Sequence, residues 1–482
     1  MPTASNCSQQ TYPYYAAGVW HKKAVVQQVR NPWSGESLAS VSVATKSDVQ
    51  DILEAAHTSF LHTCLQLPLE RKRLLSRIAQ GIQKLEKEFV ATIVSEAGKP
   101  LHLAQVEVTR AISTFQIAAI EAQAPDEDIS ISTNPAVGIS HHGFLRRFPL
   151  GVILGITPFN FPLNLVAHKI APAIASGNCI ILKPSPRTPL SALLLAKVIH
   201  SAGVVPGQVN IVPFDHSLVK NILADCRIRM LSFTGSSLVG WKLKGSLPVR
   251  TKVTLELGGN AAVIVEPDAN WREAVPAIAA SAFAFAGQSC ISAQRIFVHA
   301  SIYPSFRKEL VLATTSMYSG DPRLPVTMVG PLIDQAARNR VLHWVEQATQ
   351  EGAMLLTPIV TQGLSLLKPI LIEAVRDGLL LESQEVFGPV ATLQSYSDIS
   401  EAFTRVNASD YGLQASIFTK NTQIAQSAFR TLETGTVLIN EIPSFRVENM
   451  PYGGIKASGF GREGIRYAML EMTEPKLFIE KL

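Results

Sequence analysis

The spacing of apolar positions changes near residue 150, and that change organises the chain. Before it the period is helical. In "TKSDVQDILEAAHTSF" Val49, Ile52, Leu53, Ala56 and Phe60 fall on one face, and Ser47 with Gln50 reads as a capping box at the start. The same spacing predicts helices through "ERKRLLSRIAQGIQKLEKEFVATIVSEAG" and "LHLAQVEVTRAISTFQIAAIEAQA". The stretch "ISISTNPAVGISHHGFLRRF", residues 129–148, alternates in the manner of an exposed hairpin.

After residue 150, short apolar runs alternate with segments of helical length. "GVILGI", "NCIILKPS", "VNIVPF" and "IRMLSFTG" read as buried strands, with "PLNLVAHKIAPAIASG", "PLSALLLAKVIHSAG" and "SLVKNILADC" as the helices between them. This alternation predicts an α/β fold of parallel βαβ units, doubly wound and covered on both faces. Ligands bind such sheets beyond the carboxyl ends of the strands. That rule selects residues 157–160, Lys183 with Pro184, and residues 234–236. Further on, "AVPAIAASAFAFAG" predicts a buried helix delivering "QSCISAQR", with Cys290 just past its end.

Composition narrows the class. The chain has 482 residues, 47% hydrophobic and 17% charged, enough for two or three domains. Its net charge of +5 is interspersed, and the densest basic clump, "ERKRLL", lies in a predicted helix, which argues against a nucleic-acid partner. No uncharged apolar run is long enough to span a membrane. The start, "MPTASNCSQQTYPYY", lacks a basic leader and an apolar core, so export is not expected. Five scattered cysteines without CxxC or Cys/His clusters argue against a disulfide framework or a metal site and fit a reducing cytosol.

Candidate chemistry is spread over several short stretches. "FTGSSLVG" sets Gly235 at a turn and Gly240 in an opening helix, a geometry that suits a pyrophosphate and equally a plain tight turn. Lys183 ends a buried strand and is held by Pro184, so its ammonium either meets a ribose or phosphate or snorkels to the surface. Glu256 alternates with Leu255 and Leu257 on a strand that stops at Gly258 and Gly259, which points its carboxylate away from two apolar neighbours. Cys290 reads either as core packing or as a nucleophile.

Six motifs in order resolve these alternatives. "GVILGITPFNFPLNLVAHKIAPAIASGNCIILKPS", "FTGSSLVG", "TLELGGN", "GQSCISAQRIFV", "ESQEVFGPV" and "MPYGGIKASGFGREG" closely resemble the aldehyde dehydrogenase superfamily, in its hydrolytic NAD(P)-dependent branch. The resemblance implies a Rossmann-type parallel-sheet cofactor domain, an α/β catalytic domain and a small β oligomerisation arm. It implies Cys290 as nucleophile, Glu256 as general base, Asn160 as oxyanion donor and Lys169 as their support. Thr157, Pro158, Phe159, Lys183, Ser185, Arg187, Gly235, Ser236, Leu257, Glu385 and Phe387 would hold NADP or NAD. Relatives that pass the acyl group to coenzyme A usually lack the glutamate, so Glu256 favours hydrolysis. A coenzyme A-acylating enzyme and a catalytically silent scaffold are the alternatives.

The resemblance also implies domain boundaries: residues 1–127 and 148–257 for cofactor, 258–440 for catalysis, 128–147 and 470–482 for the arm, and 441–469 returning to the cofactor domain. Subunits would pair through the arm as a homodimer or homotetramer. One departure bears on the cofactor. NAD-preferring members usually carry a glutamate three residues after the lysine, where this chain has Pro186, followed by Arg187, so NADP is expected to be used. Near the expected substrate entrance, Arg446 either anchors an anionic or hydroxylated aldehyde or pairs with Glu448. Lactaldehyde, phosphonoacetaldehyde and semialdehydes are the candidate substrates. Ile291 and His168 fall near the same channel, His168 either packed or touching substrate.

Overall fold

The computed structural model describes residues 11–124, 127–128 and 141–481. Cys7 and residues 129–140 of the expected hairpin lie outside the described residues. Five parallel strands form the centre of an eight-stranded sheet, in the order Lys252–Glu256, Ile228–Thr234, Val152–Ile156, Cys179–Lys183 and Val209–Ile211. Antiparallel strands close it: Gly459–Phe460 at one edge, Tyr14–Ala16 and Val19–His21 at the other. From Val152–Ile156 the chain first builds outward on one side and then returns to build on the other. The switch therefore falls between the ends of Val152–Ile156 and Ile228–Thr234, the usual ligand crevice of a doubly wound sheet.

Val152–Ile156 and Cys179–Lys183 are buried along their whole length and apolar up to Lys183, because helices cover both faces. Every residue of the helix Asn164–Ala175 is buried, since it packs between the sheet and the helix Leu101–Glu121. Neither Asn164–Ala175 nor Leu190–Ser201 has a side-chain cap of its own, because Leu163 and Pro189 occupy the cap positions. Two carboxylates from elsewhere meet their free N–H groups. Glu107 accepts from Leu163 and Asn164 at 2.9 and 3.1 Å, and Glu96 from Leu190 and Ser191 at 2.7 and 2.8 Å. Both glutamates are fully buried, and burial pushes the Glu96 carboxyl up to about 7.

The first helix, Lys46–Thr63, starts two residues earlier than the Ser47–Gln50 box implied. Thr45 is its cap, with Thr45 Oγ1 accepting from the Asp48 N–H and Asp48 accepting from the Thr45 N–H. A threonine in extended backbone reaches the third helical residue directly, whereas Ser47 is already inside the helix.

A second sheet runs Met354–Leu355, Ile370–Glu373, Val390–Tyr396, Ala293–His299, Ala261–Val265, Gln414–Phe418 and Thr436–Ile439, parallel except at its first strand. The chain crosses from one sheet to the other between Glu256 and Ala261, through Gly258 and Gly259. The strand Thr473–Lys481 pairs antiparallel with His141–Pro149, and Glu127–Asp128 extends that small sheet. Among the described residues no helix is long and apolar enough to cross a membrane, and no cluster of His, Cys, Asp and Glu could hold a metal ion.

Candidate active site

The nucleophile candidate is presented by a backbone reversal. The helix Trp271–Phe283 stops, and Phe285, Ala286 and Gly287 then take φ values of 53°, 55° and 65°. Consecutive left-handed residues that carry side chains are costly and persist only where their surroundings enforce them. The enforcing residue is Gln288, whose amide donates to the Phe285 and Pro331 carbonyls and accepts from the Ile333 N–H. Its carbonyl accepts from Asn160 Nδ2 at 2.9 Å. One proton of that amide is thus committed to the loop, and the second is left for the cavity. Cys290 is half-buried, and its Sγ lies 3.2 Å from the Tyr452 hydroxyl. Burial pushes the thiol up to about 11. Cys179, by contrast, opens a strand and packs beside Thr63, away from this site.

Glu256 ends the strand Lys252–Glu256 between two fully buried leucines. Neither of its carboxylate oxygens has a hydrogen-bond partner in the protein. Burial, and then the charge of Glu463, raise its pKa well above the ordinary carboxylate value, while Arg446 and Lys169 act in the other direction. Lys169 itself is fully buried, donating to Ser232 and Glu463 at 3.0 Å each.

A cavity of about 610 Å³ joins these groups. Cys290, Glu256 and Asn160 line it, with Pro158, Phe159, Gly235, Ser236, Leu257, Glu385 and Phe387 on the side of the strand ends, and Ile291 and Arg446 elsewhere in the wall. Glu385 accepts from the Gly259 N–H at 3.0 Å and is pushed by burial up to about 7. Phe387, at a φ of 46°, meets the Phe159 ring edge-on at 5.8 Å. Arg340 holds that turn by donating to the Val386 carbonyl.

A sequence model of the aldehyde dehydrogenase family matches residues 20–478. The chain belongs to that family. It is 38% identical over 473 residues to a 3-sulfolactaldehyde dehydrogenase from Priestia aryabhattai, covering 98% of each. Among solved structures it superposes with aldehyde dehydrogenase 21 from Physcomitrella patens, in complex with the reaction product succinate, at a TM-score of 0.94 and 36% identity, over 98% of this chain and 99% of that one. It also matches the glyceraldehyde-3-phosphate dehydrogenase GapN from Methanocaldococcus jannaschii, complexed with NADP, at a TM-score of 0.90 and 36% identity, over 95% and 99%. The protein is an NAD(P)-dependent enzyme that oxidises an aldehyde to the carboxylic acid.

The residues of this aldehyde dehydrogenase fit a dinucleotide. The cavity reaches the carboxyl ends of the strands at the switch point, and the buried hydroxyls of Thr157 and Thr234 there have no partner in the protein. Lys183, Ser185 and Arg187 lie off the cavity wall. Lys183 is buried over the Phe214 ring, with its ammonium lowered to about 8 by burial, and Ser185 Oγ accepts from the Arg187 N–H. Arg187 is exposed and pairs with Asp334 at 2.7 Å.

The remaining wall rearranges the expected partnerships. Glu448 is engaged by Arg110 and His168, not by Arg446. His168 is therefore a buried clamp on Glu448 and does not line the cavity. The hydrogen bond from His168 and the charge of Arg110 hold the Glu448 carboxyl far below its usual range even against burial. Arg446 instead lies over the Tyr452 ring, 3.7 Å from its centre, with Nε and one terminal nitrogen making no hydrogen bond and that terminal nitrogen 3.7 Å from a Glu463 carboxylate oxygen. Several wall residues had no role in the sequence reading: Tyr452, Arg110, Arg340 and the buried Lys99–Glu107 pair. Only Tyr452 carried a signal, its place inside "MPYGG".

Proposed function

We propose that Cys290 is the nucleophile, Glu256 the base and Asn160 with the Cys290 N–H the oxyanion donors, acting on a short aldehyde that carries an anionic group held by Arg446. The observation behind the substrate class is the buried Arg446 guanidinium, which borders the same cavity as Cys290 and has two nitrogens without a hydrogen bond, one of them in a long ion pair with Glu463 at 3.7 Å. Buried donors left without a hydrogen bond are costly, and a carboxylate, sulfonate or phosphonate oxygen would complete them. The names of the relatives, a sulfolactaldehyde dehydrogenase and a structure holding succinate, are in keeping with that chemistry.

The steps follow from the residues. The Cys290 thiol releases its proton to water, its sulfur forms a bond to the carbonyl carbon, and the carbonyl pair moves to oxygen, where the free Asn160 proton and the Cys290 N–H receive it. When bound, the oxidised nicotinamide supplies the hydride acceptor. The thioester left on Cys290 is cleaved by water that gives a proton to Glu256, and the carbon–sulfur pair returns to sulfur. Pro158, Phe159, Gly235, Ser236, Leu257, Glu385 and Phe387 hold the cofactor, with Thr157, Lys183 and Ser185 beyond the wall, and Lys169 keeps Glu463 in place behind Glu256. Pro186 offers no carboxylate to repel a 2′-phosphate, so NADP is accepted; a large NAD preference in steady-state kinetics would count against this.

The deciding experiment compares Arg446→Ala with the unmodified enzyme on anionic and neutral aldehydes of matched length, with product identification in the presence and absence of coenzyme A. A loss of kcat/KM about 10²-fold larger on the anionic aldehyde is expected, the scale of a charged hydrogen-bonded pair. Equal losses on both would exclude anion recognition, and an acyl-coenzyme A product would exclude hydrolysis. The strand Thr473–Lys481 is exposed along nearly its whole length, with Leu477, Phe478 and Ile479 in solvent, and we assign it to subunit pairing in a homodimer or homotetramer. Light scattering on a chain truncated before Thr473 would test this. The described cysteines are all free, in keeping with a cytosolic enzyme.

A further inference from the structure

The cysteine sulfur has one hydrogen-bond partner among the described residues, and the proposed mechanism does not use it. Tyr452 is buried at 2% exposure and its hydroxyl lies 3.2 Å from Cys290 Sγ. Its backbone is pinned on both sides. The Tyr452 N–H donates to the Glu463 carbonyl at 2.9 Å, and the Glu463 N–H returns the bond at 2.6 Å. The ring is covered by the Arg446 guanidinium at 3.7 Å. A phenylalanine would fill the same space, so packing alone does not account for the oxygen.

We propose that Tyr452 is a further catalytic residue, whose hydroxyl donates to the Cys290 sulfur whenever that sulfur carries negative charge. The proposal rests on Cys290 being the nucleophile. Direction follows from chemistry. Burial and the neighbouring Cys290 keep the phenol pKa well above its ordinary value, so the oxygen retains its proton and is a donor to an anion. The Arg446 cation over the ring face withdraws electron density and strengthens that donation. No carboxylate or carbonyl among the described residues competes for the proton.

The hydroxyl acts twice in each cycle. Before capture it stabilises the thiolate, whose lone pair then forms the carbon–sulfur bond. In hydrolysis that bond breaks, the pair returns to sulfur, and the same O–H meets it. Tyr452 transfers no proton in either step.

The test is Tyr452→Phe, which keeps the ring beneath Arg446. The rate of Cys290 alkylation by iodoacetamide is followed by peptide mass spectrometry from about pH 6 to about pH 10, where thiolate fraction controls the rate. The rate profile, which rises across this range toward a midpoint above it, is expected to move to alkaline pH by about one unit, lowering the rate near pH 8 roughly tenfold. In turnover, kcat falls while the aldehyde KM stays within about twofold, because the lost bond forms in the reacting states. Fluorotyrosine at position 452, a stronger donor in the same space, moves the midpoint the other way. A Tyr452→Phe profile that superimposes on the parent, or shifts to acid, overturns the proposal. Cys290→Ser assayed in parallel separates the two readings: retained oxidation there would remove the nucleophile assignment itself.

Discussion

Gly259 is the position where one added carbon atom tests the site most directly. It lies in the crossing between the two sheets, and a Cβ there would overlap the Cys290 carbonyl oxygen, well inside the 3.0 Å that real Cβ atoms keep. The obstacle is backbone, so no side chain can swing aside. Gly259 is not at positive φ, so the chain itself tolerates alanine and the effect comes from the overlap alone. Relieving it moves the Cys290 loop by roughly 1 Å, a displacement that costs about 10²-fold in rate when reacting groups must align. At about 1.4 kcal/mol per tenfold this is about 2.8 kcal/mol of barrier. Gly259→Ala should therefore lower kcat about a hundredfold while cofactor affinity changes much less. Steady-state kinetics and tryptophan-quenching titration with NADP measure the two. A kcat within threefold of the parent would refute the close apposition of Gly259 and the nucleophile loop.

Two other perturbations address the charges. Because Glu256 has a raised pKa and works as a base only when ionised, kcat should fall as pH is lowered through a midpoint above the ordinary carboxylate range. In Glu256→Gln that acid limb should vanish, leaving a reduced-cofactor burst followed by a stalled thioester visible by mass spectrometry; steady turnover at the parent rate would remove Glu256 from the mechanism. Glu107→Ala removes two capping hydrogen bonds from one helix and strands Lys99, which is fully buried between the Phe161 and Phe285 rings. Breaking a buried pair by removing one member costs about 3–5 kcal/mol, read here by urea denaturation. A loss below about 1 kcal/mol would show that the caps contribute little.

The elements legible in the sequence are those whose burial is nearly total. Val152–Ile156, Cys179–Lys183 and Ile228–Thr234 are buried almost throughout, so their residues are mostly apolar and the strands announce themselves. The ends of those strands followed, because a parallel sheet gathers its loops at one edge. Segments with weaker demands were less legible. The cap of the first helix lies at Thr45 and not Ser47, since several small polar residues there compete for one geometric position.

Sequence by itself determined the doubly wound sheet, the family motifs and the approximate positions of Cys290, Glu256 and Asn160, because each depends on local period or on a short contiguous string. Tertiary structure alone decided the partners of the charged groups. Glu448 stands two residues from Arg446, yet it is held by Arg110 and His168, 338 and 280 positions away in the chain. Glu96 and Glu107 look like ordinary helical glutamates until packing carries them to the ends of two other helices. A side chain's preference for a helix or strand is set by its neighbours in sequence. Its charge partner is set by whichever group folding brings within about 3 Å, and no local pattern records that distance.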